Sequence, residues 1–188
     1  MGVTTLVVSQ GCPLRCQYCI NPYTWDPARK ARRYTPEELL ETLKIDDLYF
    51  QATGGGVTFG GGEPLLHSAF FAEFCRIAPK EWTINFETSL NIPAENLQKI
   101  LPFAHTLIVD IKDRDPEIYR QYTKASMERV TENLIIARDT LGADAIHIRV
   151  PLIPGYNTPA HQQESEKALR ALGFSNIELF SYRTDRGK

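Results

Sequence analysis

The sequence lacks any apolar run near the roughly 18 residues that a membrane-spanning helix needs, so no membrane partner is expected. It also lacks an excess of charge. Lys and Arg number 21 against 23 Asp and Glu, a net charge of −2, which leaves no electrostatic case for a nucleic-acid partner. The one basic cluster, Ala28 to Arg33, reads as a solvated loop. No basic region precedes the short apolar run of "MGVTTLVVSQGC", which therefore reads as a strand and not a signal peptide. A cytoplasmic location follows as an expectation, and in a reducing compartment clustered cysteines suggest metal or redox chemistry over disulfides. The glycine-rich stretch "TGGGVTFGGGEPLLH" has neither the lysine of a phosphate-binding loop nor a GxGxxG register. Cysteine itself is scarce, four in all, yet three of the four fall within eight residues.

What the sequence does have is alternation. With 188 residues, 43% of them apolar, it is long enough for one domain over residues 1–188 with its own core. Strands are expected at Thr4 to Ser9, "VTFGG", "WTINFET", "HTLIVDIK", "AIHIRVPLI" and "NIELFSY". Between them come helical patterns. Thr35-Pro-Glu-Glu38 opens one with an N-cap, a proline at the first position and a capping-box glutamate. "HSAFFAEFCRIA" carries Phe70, Phe71, Phe74 and Ala78 on one stripe. A further helix runs from Pro93 to just before Pro102, followed by "DPEIYRQYT", "SMERVTENLIIARDTLG" and "TPAHQQESEKALRALG". Six βα-type units predict an α/β fold with a parallel sheet. Six strands are too few to close an eight-stranded barrel, so an open partial (β/α)6 barrel is expected, with a flat doubly wound sheet as the alternative. Either way chemistry belongs in the loops at the carboxyl ends of the strands. The cysteine loop, "GGGEP", "ETS" and "DIK" all fall there.

Cys12, Cys16 and Cys19 form a CxxxCxxC pattern. Thiolates are soft ligands that suit zinc or an iron–sulfur cluster. Structural zinc is nearly always four-coordinate, and no second cysteine pair is present. Cys75 lies on the apolar stripe one turn from Phe71 and reads as a buried small hydrophobe. A 4Fe–4S cluster on three cysteines would leave one iron open to an exogenous group.

That pattern, with Tyr18 just before the last cysteine and a position between the first strand and first helix, resembles the signature of the radical S-adenosylmethionine (radical SAM) enzymes. "CINPYTWD", "GGGVTFGGGEPLL", "VDIKDRDPEIYRQYT", "IRVPLIPGYN" and "IELFSY" follow in order the pattern of glycyl-radical-enzyme activating enzymes of the pyruvate formate-lyase type. The resemblance covers the chain from the first strand to the sixth. It implies a 4Fe–4S cluster on Cys12, Cys16 and Cys19 beside Tyr18, and SAM bound at the open iron. Gly61, Gly62 and Glu63 would meet the SAM amino group, Glu63 by charge complementarity. Asp110 would hold the ribose and help to bind a monovalent cation, with Lys112 beside it and Arg149 supporting SAM. Glu87-Thr88-Ser89-Leu90 stands where the family has Asp-Thr-Asn-Gly. Tyr182 and Arg183 replace a Tyr-His pair near the adenine or ribose. The Asp-Gly-Pro-Gly run of the family is not found among these residues, nor is a cysteine-rich insert, which points to a minimal form without auxiliary clusters. The implied partners are a glycyl radical enzyme as protein substrate and a flavodoxin- or ferredoxin-type electron donor, with a monomer expected. Rival readings are an activase of anaerobic ribonucleotide reductase, a small-molecule radical SAM enzyme, and a non-catalytic iron–sulfur or zinc module.

Overall fold

A computed structural model describes residues 2–26 and 28–182. Six strands, β1 (Thr4–Ser9), β2 (Gly56–Gly61), β3 (Thr83–Thr88), β4 (Thr106–Asp110), β5 (Ile146–Leu152) and β6 (Ile177–Ser181), form one sheet. Every pair is parallel, and the strand order is β1-β2-β3-β4-β5-β6. A doubly wound sheet reverses its strand order at a switch point, and here nothing reverses. The order is that of a barrel left open between β1 and β6. The expected strands are all present. The fourth is shorter than "HTLIVDIK" suggests: the Ile111 amide makes a last bond to Arg149 O of β5, and Lys112 lies beyond the ladder.

The helices are α1 (Pro36–Leu43), α2 (Asp47–Thr53), α3 (Ser68–Ile77), α4 (Ala94–Ile100), α5 (Pro116–Thr123), α6 (Glu128–Leu141) and α7 (Pro159–Ala171). At α1 the capping box is complete: Thr35 accepts from the Glu38 amide, and Glu38 accepts from the Thr35 amide. Sequence reading assigned nothing to α2. Its seven residues leave Leu48 and Tyr49 exposed, so no apolar stripe marks it. What anchors α2 is Asp47, which accepts from the Trp82 indole N–H at 2.7 Å, and Phe50, edge-on to Trp82.

Alternation along the strands sorts the two faces of the sheet. Val57 and Phe59, Ile84 and Phe86, Leu107 and Val109, Ile148 and Val150 turn outward and are buried in the core. Phe59 lies 4.2 Å from the Phe71 ring of α3 and 5.3 Å from Phe86, centroid to centroid. The expected stripe on α3 is therefore its core face, with Cys75 packed against the same core. Burial pushes the Cys75 thiol up to about 12. The other face of the strands is polar. Thr58 bonds Thr4, His147 meets Glu178, and Glu87, Asp110 and Arg149 converge.

Candidate active site

A cavity of about 390 Å³ opens at the carboxyl ends of the strands. Its wall takes in every site residue expected from the sequence except Arg183, which lies outside the described residues. Cys12, Cys16 and Cys19 line it beside Tyr18; Gly61, Gly62 and Glu63 follow, then Glu87 and Thr88, Asp110 and Lys112, Arg149 and Tyr182.

Backbone bonds shape the cysteine loop after β1. Gly11 donates to Thr24 O at 2.8 Å and Cys19 to Cys16 O at 3.1 Å. The Arg15 guanidinium holds Cys12 O and Leu14 O, with Leu14 buried beneath. Tyr18, in the cavity wall, donates to Pro154 O in the "IPGYN" turn after β5. The Gly61–Glu63 turn lies directly on this loop, with Gly62 donating to Ser9 O and Glu63 to Gly11 O at 2.7 Å. A side chain at position 62 would collide with the Gly11 carbonyl, so glycine is what lets the two loops touch.

Glu63 is 1% exposed, and its two oxygens accept four hydrogen bonds. The Thr88 hydroxyl donates at 2.7 Å, the Ser89 hydroxyl at 2.7 Å, the Ser89 amide at 2.9 Å and the Leu65 amide at 3.2 Å. Burial raises its pKa, and these donors work against the rise. Glu63 thus ties the β2 loop to the β3 loop. Ser89 is a partner that sequence reading passed over, since nothing local links positions 63 and 89. The same loop holds Leu90 in the left-handed region at φ 56°, where the activase pattern has glycine. Leu90 is fully buried, and Asn133 donates to Leu90 O and Ile92 O to hold the bend.

Near the carboxyl ends of β3 and β4, and midway along β5, lies a charged network. Arg149 donates from Nε to Asp110 Oδ1 at 2.6 Å and from Nη1 to Glu87 Oε1 at 3.2 Å. Lys112 donates to Asp110 Oδ2 at 3.0 Å and to the Tyr182 hydroxyl at 2.8 Å. Burial alone would raise the Asp110 carboxyl, but Lys112 and Arg149 outweigh it and hold it below the ordinary value. Burial likewise works against the charge of Lys112, and Asp110 reverses that and holds its pKa well above the ordinary value. Tyr122, on α5, joins Tyr18, Tyr156 and Tyr182 in an aromatic cluster, of which Tyr18, Tyr122 and Tyr182 line the cavity.

The donor set fits an iron–sulfur cluster open at one iron. Three cysteines, all half-buried, face one cavity. Among the described residues no group of three or more His, Cys, Asp or Glu could hold a single metal ion. Burial pushes the bare thiols up, Cys12 to about 12 and Cys16 to about 11, so a metal must displace their protons to bind. The remaining wall offers hydrogen-bonding groups, among them Thr88, Ser89, Asp110 and Tyr182. The sequence pattern of the radical SAM superfamily matches residues 6–160, which include the three cysteines, the glycine turn, Asp110 and Arg149. The chain belongs to that superfamily.

Within the radical SAM superfamily the chain falls with the activating enzymes. It is 31% identical to the pyruvate formate-lyase-activating enzyme of Clostridium pasteurianum over 188 residues, 97% of this chain and 76% of the relative. It is 29% identical to the (2S)-3-sulfopropanediol dehydratase activating enzyme of Klebsiella oxytoca, over 96% of this chain and 77% of the relative. That alignment runs over 246 positions, more than this chain has, so the relative carries inserted residues that this radical SAM chain lacks. The crystal structure of Streptococcus suis SuiB bound to S-adenosylmethionine superposes with a TM-score of 0.73 at 11% identity, covering 97% of this chain and 41% of that one. Methylornithine synthase (PylB) gives 0.64 at 19% identity, covering 98% and 55%. The chain spans less than two thirds of either solved structure, and at these identities the likeness concerns the fold.

Proposed function

We propose that this chain is a radical SAM domain, extending over residues 1–188, that activates a glycyl radical enzyme by removing a hydrogen atom from a backbone glycine of that partner. The observation that carries the reading is the convergence of the cysteine loop, the Gly61–Glu63 turn and the Asp110 network on one cavity, in a chain whose relatives are activating enzymes. When bound, the cluster and SAM supply one-electron cleavage of the sulfonium to a 5′-deoxyadenosyl radical. The protein positions and shields. Cys12, Cys16 and Cys19 would hold the cluster, and the Gly61 and Gly62 carbonyls would accept from the SAM amine. Asp110, which accepts from Arg149 and Lys112, would also face the ribose, while Lys112, Arg149 and Tyr182 would surround the rest of SAM. Nothing in this scheme needs a general base. Glu63 fixes the loops through the four hydrogen bonds it accepts, and its carboxylate adds charge complementarity to the SAM amino group. The electron comes from a flavodoxin- or ferredoxin-type donor in the cytoplasm, and the chain acts as a monomer.

The test mixes reduced, cluster-loaded protein with SAM and a candidate glycyl radical enzyme. The expected result is the doublet of a glycyl radical by electron paramagnetic resonance, with deuterium from a labelled partner glycine recovered in 5′-deoxyadenosine. Cys16→Ala should bind no cluster and give no signal, whereas Cys75→Ala should keep about four irons. Turnover of a small molecule, with no glycyl signal from any candidate partner, would sink the assignment.

A further inference from the structure

Activating enzymes of this type are expected to place a monovalent cation beside SAM, yet the two carboxylates available for it are already in use. Glu87 is the penultimate residue of β3 and Asp110 ends β4, and both turn to the polar face of the sheet. Arg149 pairs with Asp110 in the β4–β5 register, so its guanidinium projects between the two acids. It occupies Asp110 Oδ1 and Glu87 Oε1, while Lys112 occupies Asp110 Oδ2. Glu87 Oε2 is turned toward β2, 2.8 Å from where a Cβ on Gly60 would lie. The four groups already sum to zero charge. A cation bridging the two acids would have to compete with the guanidinium for Asp110 Oδ1 and Glu87 Oε1, and with Lys112 for Asp110 Oδ2, and like charges at that range repel. The extra methylene of Glu87, compared with the aspartate of the family pattern, is what carries its carboxylate to the guanidinium.

We propose that Arg149 supplies the positive charge a monovalent ion would bring, so that the SAM site of this chain is complete without potassium or sodium. The proposal rests on the SAM reading of the cavity, and the experiment separates the two. SAM binding to anaerobic, cluster-loaded protein is measured by calorimetry in potassium, sodium or tetramethylammonium chloride at equal ionic strength. The expected dissociation constants agree within about two-fold across the three salts. In Glu87→Asp, the shorter side chain withdraws from Arg149 and leaves a carboxylate open to an ion, so potassium should tighten SAM binding. In Arg149→Met, SAM binding should weaken in tetramethylammonium and recover in part when potassium is added. Wild-type binding that requires potassium, tightening about ten-fold or more, would overturn the proposal and leave the SAM reading intact. Absence of SAM binding in every salt would overturn both. Cluster-free protein gives an independent measurement. Its thermal midpoint should be equal in the three salts for wild type and rise with potassium for Arg149→Met, and a wild-type midpoint that rises with potassium counts against the proposal.

Discussion

Replacing Glu63 with glutamine separates two roles for that residue, a pin between loops and a charge facing the ligand. The substituted side chain keeps one carbonyl oxygen and carries an NH₂ group in place of the other. If the oxygen stays toward Ser89, it still accepts the Ser89 amide and hydroxyl, at 2.9 and 2.7 Å in the wild type. The NH₂ then faces the Thr88 hydroxyl, which can rotate to accept, and the Leu65 amide, which cannot. One buried amide is left without a partner, at about 1–3 kcal/mol, and the two surviving bonds lose the strengthening that a charged acceptor gives. The reverse orientation strands the Ser89 amide, whose wild-type bond is shorter, so it should be no better. A total loss of about 2–4 kcal/mol is expected, against a typical domain stability of about 5–15 kcal/mol. Urea unfolding of cluster-free protein measures it as a lower midpoint at unchanged slope. Ser89→Ala should overlap with Glu63→Gln in a double-mutant cycle by about 1 kcal/mol, because both touch the same bonds. If Glu63→Gln unfolds like wild type while SAM binding collapses, the carboxylate acts on the ligand and the pin argument is wrong.

Asp110→Asn leaves Lys112 and Arg149 without their shared counter-ion and should cost up to about 3 kcal/mol, below the range of a fully buried pair because the Asp110 and Arg149 side chains are each 28% exposed, with weaker SAM binding. Since Asp110 titrates below its ordinary value when folded, its stabilisation is present above about pH 4 and fades as pH falls further, so wild-type stability should drop on that acid limb and the Asn variant should lack the drop. Leu90→Gly relieves a left-handed leucine, worth about 1–2 kcal/mol, and removes a fully buried side chain, worth about 2–5 kcal/mol. A net loss of about 1–3 kcal/mol by denaturant unfolding is expected; a more stable glycine variant would show that the strain outweighs the packing.

Much of this was legible because it is local. The strands announced themselves by apolar side chains at every second position, and Thr35 to Glu38 declared a helix start within four residues. The cysteine spacing and the glycine turn are short motifs whose chemistry does not depend on distant partners. By contrast, the links that complete the site cross long stretches of chain. Glu63 meets Ser89, Arg149 meets Glu87, and Lys112 meets Tyr182 across 70 positions. A strand pattern places such residues at the same end of a sheet, but it does not say which oxygen each donor takes. Leu90 is the sharpest case. Its backbone conformation favours glycine, so its residue type conceals the turn, and the bend is held by Asn133 from α6. Helix α2 was missed for the opposite reason, since its outer side chains are apolar and exposed.

The unreversed order of the strands has a consequence for how the cavity comes into being on the ribosome. Each strand lies beside the one made just before it, so the walls can assemble in the order of translation. The cysteine loop emerges first, and the Gly61–Glu63 turn docks on it through the Glu63 amide. Phe180, Ser181 and Tyr182, which form the last wall, arrive only with β6. Until then Lys112 has no Tyr182, and the side of the cavity that β6 will occupy stands open to the thiols. Iron and sulfide therefore meet least obstruction during synthesis, and a refolding chain should take up its cluster faster than the finished fold.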